Sequence, residues 1–209
     1  MEGRPAELAT TLSCLGGAER RGITLEIVLV GPTEPGFELP EAARWFAADG
    51  SHAAQLAAGA RTARGEWLLF LVPGMHLDRG WDASVMVFAS SERNRERRAV
   101  FTHALAHSSA ESAALEKSIR FRNNWLGLPE AEQGLVINQR FYRHLQGHRE
   151  PDVLAHADLL RRIGMVRLDV RAVIENELIE ARVRATRTKL RLLLFTLRLP
   201  VRWIAKLLP

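Results

Sequence analysis

The sequence of 209 residues holds a single cysteine, Cys14. One thiol cannot form an internal disulfide, so the fold does not depend on an oxidising compartment. We expect Cys14 to pack within a helix, with a catalytic thiol as the alternative. The sequence also lacks a run of about 18 uncharged apolar residues that would span a membrane and the basic-then-apolar start of a secretory signal. We therefore expect a cytoplasmic protein.

Several motifs of common enzyme classes are absent as well. There is no glycine-rich phosphate loop of the P-loop or dinucleotide-binding type, no serine nucleophile elbow and no zinc-type spacing of Cys and His. Two histidine pairs, His103/His107 and His144/His148, have i, i+4 spacing. The first lies in a predicted strand, where residues four apart are about 13 Å apart, and the second flanks a glycine. We therefore predict structural or surface histidines and no metal site.

Acidic residues are absent from the last part of the chain. Residues 181–209 hold eight of the 29 Lys and Arg residues and no Asp or Glu, whereas residues 1–180 hold 21 basic and 24 acidic residues. The high isoelectric point is thus a property of the tail, which argues against the whole chain being a nucleic-acid binder. We predict a globular domain over 1–180 and a basic amphipathic tail over 181–209.

Strands alternate with helices in the predicted domain. Apolar runs at 24–30 and 66–72 are typical of buried parallel strands. Helices are predicted over Pro5–Leu15 and after Ser51, which is a favourable N-cap residue. Strands and helices at this spacing predict an α/β fold with a mostly parallel sheet flanked by helices.

Three segments carry a family resemblance when taken in order. They are "GSHAAQLAAGARTARGEWLLFL" (50–71), "GLPEAEQGLVINQRFYRHLQG" (127–147) and "DVLAHADLLRRIG" (152–164). With them the chain resembles the family-2 glycosyltransferases of the GT-A fold, in particular a short bacterial subgroup with a "GLPYGDQG" loop. The resemblance covers roughly residues 5–177. It implies a GT-A-like fold and transfer of a sugar from a nucleotide-sugar to an acceptor hydroxyl, with a divalent cation, Mg or Mn, on the donor phosphates.

The resemblance implies roles for five residues of the chain. Glu132 and Gln133 stand where the family has its "GDQG" loop, and either Glu132 contacts an acceptor or it only caps backbone donors. Gln55 and Arg64 are retained from the segment that leads into the strand. Glu34 is the one carboxylate near the expected nucleotide loop. Glu132 is therefore a catalytic candidate, and the other four are candidates for substrate binding.

The resemblance fails at the family's acidic residues. Val72, Pro73 and Gly74 stand in place of a His/Asp-Ala-Asp triplet that holds the metal, and Gly31 replaces the aspartate of the nucleotide loop. The position of the expected base falls at His156, and an imidazole with an ordinary pKa near 6.5 suits proton transfer at neutral pH. The alternative is a solvated histidine at the start of a helix. We predict no metal ligands and no evident cofactor.

The first strand of the family also lacks a counterpart. Family members open with a segment such as "SVVIPTLNE", and here Met1-Glu2 stands where that segment should end. Loss of a central parallel strand would leave two unpaired strand edges. Either the true start lies upstream, or another element takes that position.

The tail "TRTKLRLLLFTLRLPVRWIAKLLP" (186–209) is apolar and basic. As a helix, which Pro200 would kink or split, it would carry its basic residues on one stripe beside an interfacial tryptophan. These membrane-contacting candidates are Arg191, Arg198, Arg202, Lys206 and Trp203. Such a helix is typical of one that lies on an anionic membrane. The alternatives are a helix packed on the body and, less favoured, a tail that binds nucleic acid.

Together these features predict a glycosyltransferase-like protein, peripheral to the inner face of the cell membrane, whose acceptor could be lipid-linked. The alternative is a catalytically degenerate relative that serves as a binding or scaffold partner at the membrane surface. The expected partners are a nucleotide-sugar and an anionic membrane surface, and no nucleic acid is expected.

Overall fold

Seven strands form two sheets in the part of the chain that the structure, a computed structural model, describes. The described residues are 5–16, 18, 21–106, 113, 116–117, 133–149, 159 and 164–174. In the smaller sheet β1 (Ile27–Gly31) pairs in parallel with β2 (Ala43–Ala47). The larger sheet contains β3 (Trp67–Phe70), β4 (Met75–Leu77), β5 (Arg97–Leu105), β6 (Leu135–Asn138) and β7 (Gly164–Ile174).

The larger sheet has the order β3-β6-β5-β7-β4 and mixed pairing. Within it only β5 and β7 are parallel, and the other three pairs are antiparallel. The sheet is therefore less parallel than the alternation of strands and helices predicts. One reason is β4, which the sequence pattern did not predict because three residues are too few to show a period. The strand predicted from the apolar run at 24–30 also begins later than expected, at Ile27.

The described α-helices with given bounds are α1 (Pro5–Leu15), α2 (His52–Thr62), α3 (Trp81–Ala89) and α4 (Gln139–His144), and a short 3-10 helix spans Glu92–Asn94. The helices predicted over Pro5–Leu15 and after Ser51 are both confirmed. Ser51 caps α2 by accepting a hydrogen bond from the Ala54 amide at 3.2 Å, as its position predicts. None of the helices in the described ranges is long and apolar enough to cross a membrane.

Close packing of α2 on β1 depends on Gly59. A Cβ atom at this position would lie 2.8 Å from Cγ2 of Val30, nearer than two carbon atoms can approach without a shift. The helix therefore lies directly on the apolar face of the strand. This contact holds the smaller sheet against the segment that leads into β3.

The main core lies between α1, α3 and the larger sheet. It contains Leu15, Met75, Trp81, Phe101 and Val136, all buried, and Ile27 and Leu69 pack against it. A second cluster of buried residues centres on Leu135, Ile137 and Tyr142. Burial of this much apolar surface is the main favourable term that holds the two sheets and their helices together.

Candidate functional site

The amino ends of β1 and β3 are joined by the Glu26 carboxylate. It accepts a hydrogen bond from the Arg64 amide at 2.7 Å and two from the Arg44 guanidinium at 3.0 and 3.1 Å. Glu26 directly precedes β1, and Arg64 shortly precedes β3. The amino ends of the two strands therefore lie close together, and each strand runs away from this contact toward its carboxyl end. Ligands of α/β sheets commonly bind beyond the carboxyl ends of the strands.

The carboxyl end of β3 is the segment 71–74, which is followed at once by β4. Two other parts of the chain lie against it. Gly134, at the start of β6, would place a Cβ atom 3.2 Å from Cδ2 of Leu71, and the Gly74 amide donates to the carbonyl oxygen of Glu7 at 3.0 Å. We call residues 71–74 with Glu7, Gln133 and Gly134 the strand-end site.

Few side chains in the strand-end site can bind a cation. Val72, Pro73 and Gly74 offer none, as the sequence predicts. No group of three or more His, Cys, Asp or Glu side chains that could hold a metal ion exists within the described ranges. The side chain of Glu7 brings a carboxylate close to this turn. If residue 74 carried a Cβ atom, that atom would lie 3.7 Å from Cδ of Glu7. Mg²⁺ needs several oxygen ligands, so the described side chains of the strand-end site do not by themselves form a site for a divalent cation.

Gln133 is the one predicted substrate-binding residue that the structure puts in the strand-end site. Its side chain is 1% exposed, and its Nε2 donates to the carbonyl oxygen of Phe101 at 2.8 Å. That bond secures the turn before β6. A ligand would therefore have to compete with the Phe101 carbonyl for the Gln133 amide.

Two further candidates lie at the carboxyl ends of β1 and β2. Glu34 is exposed in the loop that follows β1. Gln55 lies in the first turn of α2, after β2, and its Nε2 donates to the Gly50 carbonyl oxygen at 3.4 Å. Both are thus at the end of the sheet where a ligand is expected.

Arg64 lies at the opposite end of β3 from the segment 71–74. Its side chain is 84% exposed, and its guanidinium is 3.8 Å from the Glu26 carboxylate. The fold therefore does not bring Arg64 together with the strand-end site. Its predicted role in substrate binding remains a prediction.

The other predicted residues lie outside the described ranges. They comprise the two catalytic candidates, one member of a histidine pair and the tail residues: His156, Glu132, His107, Arg191, Arg198, Arg202, Trp203 and Lys206. Of the remaining histidines, His148 is buried and bonds to Tyr142, whereas His144 is exposed at the end of α4. His148 is thus a structural histidine, as predicted.

Sequence reasoning did not find Glu7. The residue lies 67 positions before Gly74 in the chain, and its only local signal is an acidic side chain in the first turn of a helix. Such a residue is normally explained by the helix dipole alone. Only the packing of α1 beside β4 brings its carboxylate to the end of β3.

The comparisons with known proteins support the fold. No protein-family model and no curated protein matches the chain. Among solved structures, the chain is similar to one titled "Crystal structure of GalNAc-T7 with UDP, GalNAc and Mn2+", with a TM-score of 0.56, 13% identity and coverage of 82% of this chain. The chain spans 41% of the length of that protein. At this identity the likeness shows the fold, and it confirms the predicted GT-A-like α/β class.

Proposed function

We propose that the protein transfers a sugar from a nucleotide-sugar to an acceptor hydroxyl. The observation that carries this proposal is the likeness of most of the chain to a sugar-transferring protein solved with UDP, GalNAc and Mn²⁺. The resemblance of three ordered segments to the family-2 glycosyltransferases also supports it. A lipid-linked acceptor and a tail on an anionic membrane surface belong to the same proposal.

In the proposed reaction the acceptor oxygen forms a bond to the anomeric carbon of the sugar. The bond from that carbon to the diphosphate oxygen breaks, and the diphosphate leaves with the electron pair. The acceptor proton passes to a protein base, for which His156 and Glu132 are the candidates. Glu34, Gln55, Arg64 and Gln133 are the proposed contacts to the substrates.

The first test is binding of nucleotide-sugars to the whole chain. UDP-GalNAc, UDP-Glc, GDP-Man and their free nucleotides should raise the melting temperature in a thermal-shift assay, since a ligand that binds only the folded state stabilises it. Absence of any shift at ligand concentrations up to the millimolar range would contradict the proposal. Product formation from a positive donor would then be measured with simple and lipid-linked acceptors.

A second candidate function is a degenerate relative that binds a partner without catalysis. It is favoured by Val72-Pro73-Gly74, because no side chain of this turn can support a leaving diphosphate. Such a protein would bind nucleotide or glycan and show no turnover. Catalysis by the purified chain would exclude this candidate.

The tail proposal has its own test with anionic vesicles. A chain that ends at residue 185 should lose its binding to vesicles that contain phosphatidylglycerol, whereas the full chain should sediment with them. Equal binding of both chains would refute a membrane role for residues 186–209. Retention of the full chain on nucleic acid at physiological salt would favour the alternative reading of the tail.

A further inference from the structure

The strands β1 and β3 each have one edge that no described strand pairs with. In the smaller sheet β1 pairs only with β2, and in the larger sheet β3 is an outer strand that pairs only with β6. The Ile27 amide donates to the Ala42 carbonyl oxygen at 2.8 Å, so residues 27, 29 and 31 of β1 face β2. Because the backbone groups of successive strand residues point to opposite edges, those of Val28 and Val30 point to the free edge.

Trp67 and Leu69 point their backbone groups to the free edge of β3. The Gln139 amide, just after β6, donates to the Glu66 carbonyl oxygen at 2.8 Å, and the antiparallel register then turns residues 66, 68 and 70 to β6. The amide and carbonyl groups of the residues between them have no described partner strand. Unpaired edges of this kind are templates for a further strand.

A side chain, and not a backbone bond, joins β1 to β3. The Glu26 carboxylate, directly before β1, accepts a hydrogen bond from the Arg64 amide, shortly before β3, at 2.7 Å. Directly paired strands lie about 4.8 Å apart and bond through their backbones, whereas here a glutamate side chain lies between the two. The connection from β2, which is parallel to β1, passes through α2 into β3, as parallel strands require. The free edges thus border a gap between two parallel strands.

Apolar groups cover this gap on both faces. On one face α2 packs on Val30, and its Ala60 belongs to the same buried cluster as Leu68 of β3. On the other face Ile27 and Leu69 pack against the main core. All of β6, which has a paired strand on each side, is buried, whereas residues 27–30 of β1 and most of β3 are partly exposed. The two strands are as apolar as a central strand but are not enclosed like one.

We propose that the gap is a slot for one further strand, an extended apolar segment about as long as β1, which has 5 residues, joined to the amino end of α1. The added strand runs parallel to β1 and β3 and pairs with both, so that the two sheets become one. Main-chain hydrogen bonds to both edges hold it, and its alternate side chains enter the two apolar faces. The slot does not depend on the transfer activity proposed above.

The position of α1 indicates that the strand precedes this helix. The Gly74 amide, in the turn after β3, donates to the carbonyl oxygen of Glu7, in the first turn of α1, at 3.0 Å. A strand in the gap that is parallel to β3 ends beside this turn, and therefore beside the start of α1. From there the chain returns through α1 to the amino end of β1, which is the helical crossover that adjacent parallel strands need.

The test extends the full chain, ahead of Met1, by a segment of that length made of valine and isoleucine, with residues 1–4 as the link to α1. Amide hydrogen exchange is followed by NMR. Without the extension, the amides of Val28, Val30, Trp67 and Leu69 should exchange faster than the paired amide of Leu68. With it, these edge amides should exchange at least about tenfold more slowly, because each gains a backbone acceptor.

The matched control is an extension of equal length made of serine and aspartate, which cannot be buried between two apolar faces and should leave the edge amides unchanged. Equal protection by both extensions, or none by the apolar one, would overturn the slot. Slow exchange of the edge amides without any extension would overturn it too, because the gap would already be filled. Protection by the apolar segment only when it is added as a free peptide would assign the slot to a partner chain and overturn a source ahead of α1.

Discussion

The hydroxyl of Tyr142 bonds to both the ring and the backbone of His148. Its oxygen lies 2.9 Å from Nδ1 of His148 and accepts the His148 amide at 3.1 Å. Phe70, at the end of β3, packs against both rings, at 5.2 Å from that of Tyr142 and 5.0 Å from that of His148 between centroids. This buried cluster ties the end of α4 to the sheet, close to the strand-end site.

Gly147 is expected to be essential to this cluster. It has φ +58°, and a Cβ atom there would lie 2.6 Å from the Tyr142 ring. Gly147→Ala should therefore lower the free energy of unfolding by about 2–4 kcal/mol, from overpacking and a strained backbone. Gly36→Ala is the control, because a Cβ atom at residue 36 meets nothing within 4 Å. Urea titration of both variants checks the difference, and equal stabilities would contradict it.

Glu26 should make the stability depend on pH in the acidic range. Burial raises the pKa of its carboxyl. The hydrogen bonds from the Arg64 amide and the Arg44 guanidinium together lower the pKa by more, so the net pKa is below the ordinary value. A lowered folded-state pKa stabilises the protein above the unfolded-state pKa, about 4.3, and this stabilisation is lost as the pH falls through the folded-state pKa.

We therefore expect Glu26→Gln to be less stable than the wild type at pH 7 by about 1–3 kcal/mol. The difference between the two proteins should shrink steadily below about pH 4.3. Denaturant titrations from neutral to acidic pH measure it. A difference that stayed constant with pH would show that charge is not the cause.

Local patterns predicted most of the elements that frame the site. The Ser51 cap, the alanine-rich stretch after it and the apolar run at 66–72 each carry their signal within a few residues, and α2 and β3 lie where they indicate. β4 has only three residues and no such signal. The alternation of strands and helices alone predicted an α/β fold with a mostly parallel sheet. The more specific GT-A-like class came from the resemblance to glycosyltransferases.

The strand-end site could be predicted only in part, because its contacts join distant parts of the chain. The sequence shows that Val72, Pro73 and Gly74 lack acids, but it does not show that Glu7 lies beside them. It also does not show which of two adjacent arginines is buried: Arg97 is exposed, whereas Arg98 is buried in β5, and burial lowers the pKa of Arg98 to about 10. Side chains alternate between the faces of a strand, but the face that is covered depends on tertiary packing.

Gln133 should prove more important for folding than a surface loop residue would be. Its amide satisfies the Phe101 carbonyl in the core, so Gln133→Met leaves a buried acceptor without this donor. We expect a loss of about 1–3 kcal/mol in unfolding free energy. If Gln133 acts only on substrate, the same variant would keep its stability and lose nucleotide affinity. Urea titration and calorimetry on the same sample distinguish these outcomes.

The ion pair between Arg21 and Asp82 should fix α3 to the segment after α1. The Asp82 side chain is 1% exposed and the Arg21 side chain 51%. Arg21→Met would leave a buried carboxylate without its partner, and we expect it to cost about 1–3 kcal/mol. Asp82→Asn/Arg21→Met should cost less than Arg21→Met alone, because the buried charge is removed as well. Thermal melts of the two variants and the wild type make the comparison, and a double variant less stable than the single one would contradict it.

Cys14 should react slowly with thiol reagents in the folded protein. Burial raises the pKa of its thiol, and the Sγ hydrogen is donated to the Thr11 carbonyl oxygen at 3.0 Å. Because the thiolate is the reactive form, a raised pKa leaves less of it at neutral pH, and α1 packed on β4 limits access further. Modification by DTNB at pH 7.5 should therefore be at least about tenfold slower in the folded chain than in guanidinium-unfolded chain. Equal rates would show that the thiol is open to solvent and would reopen the possibility of a catalytic thiol, which the structure disfavours.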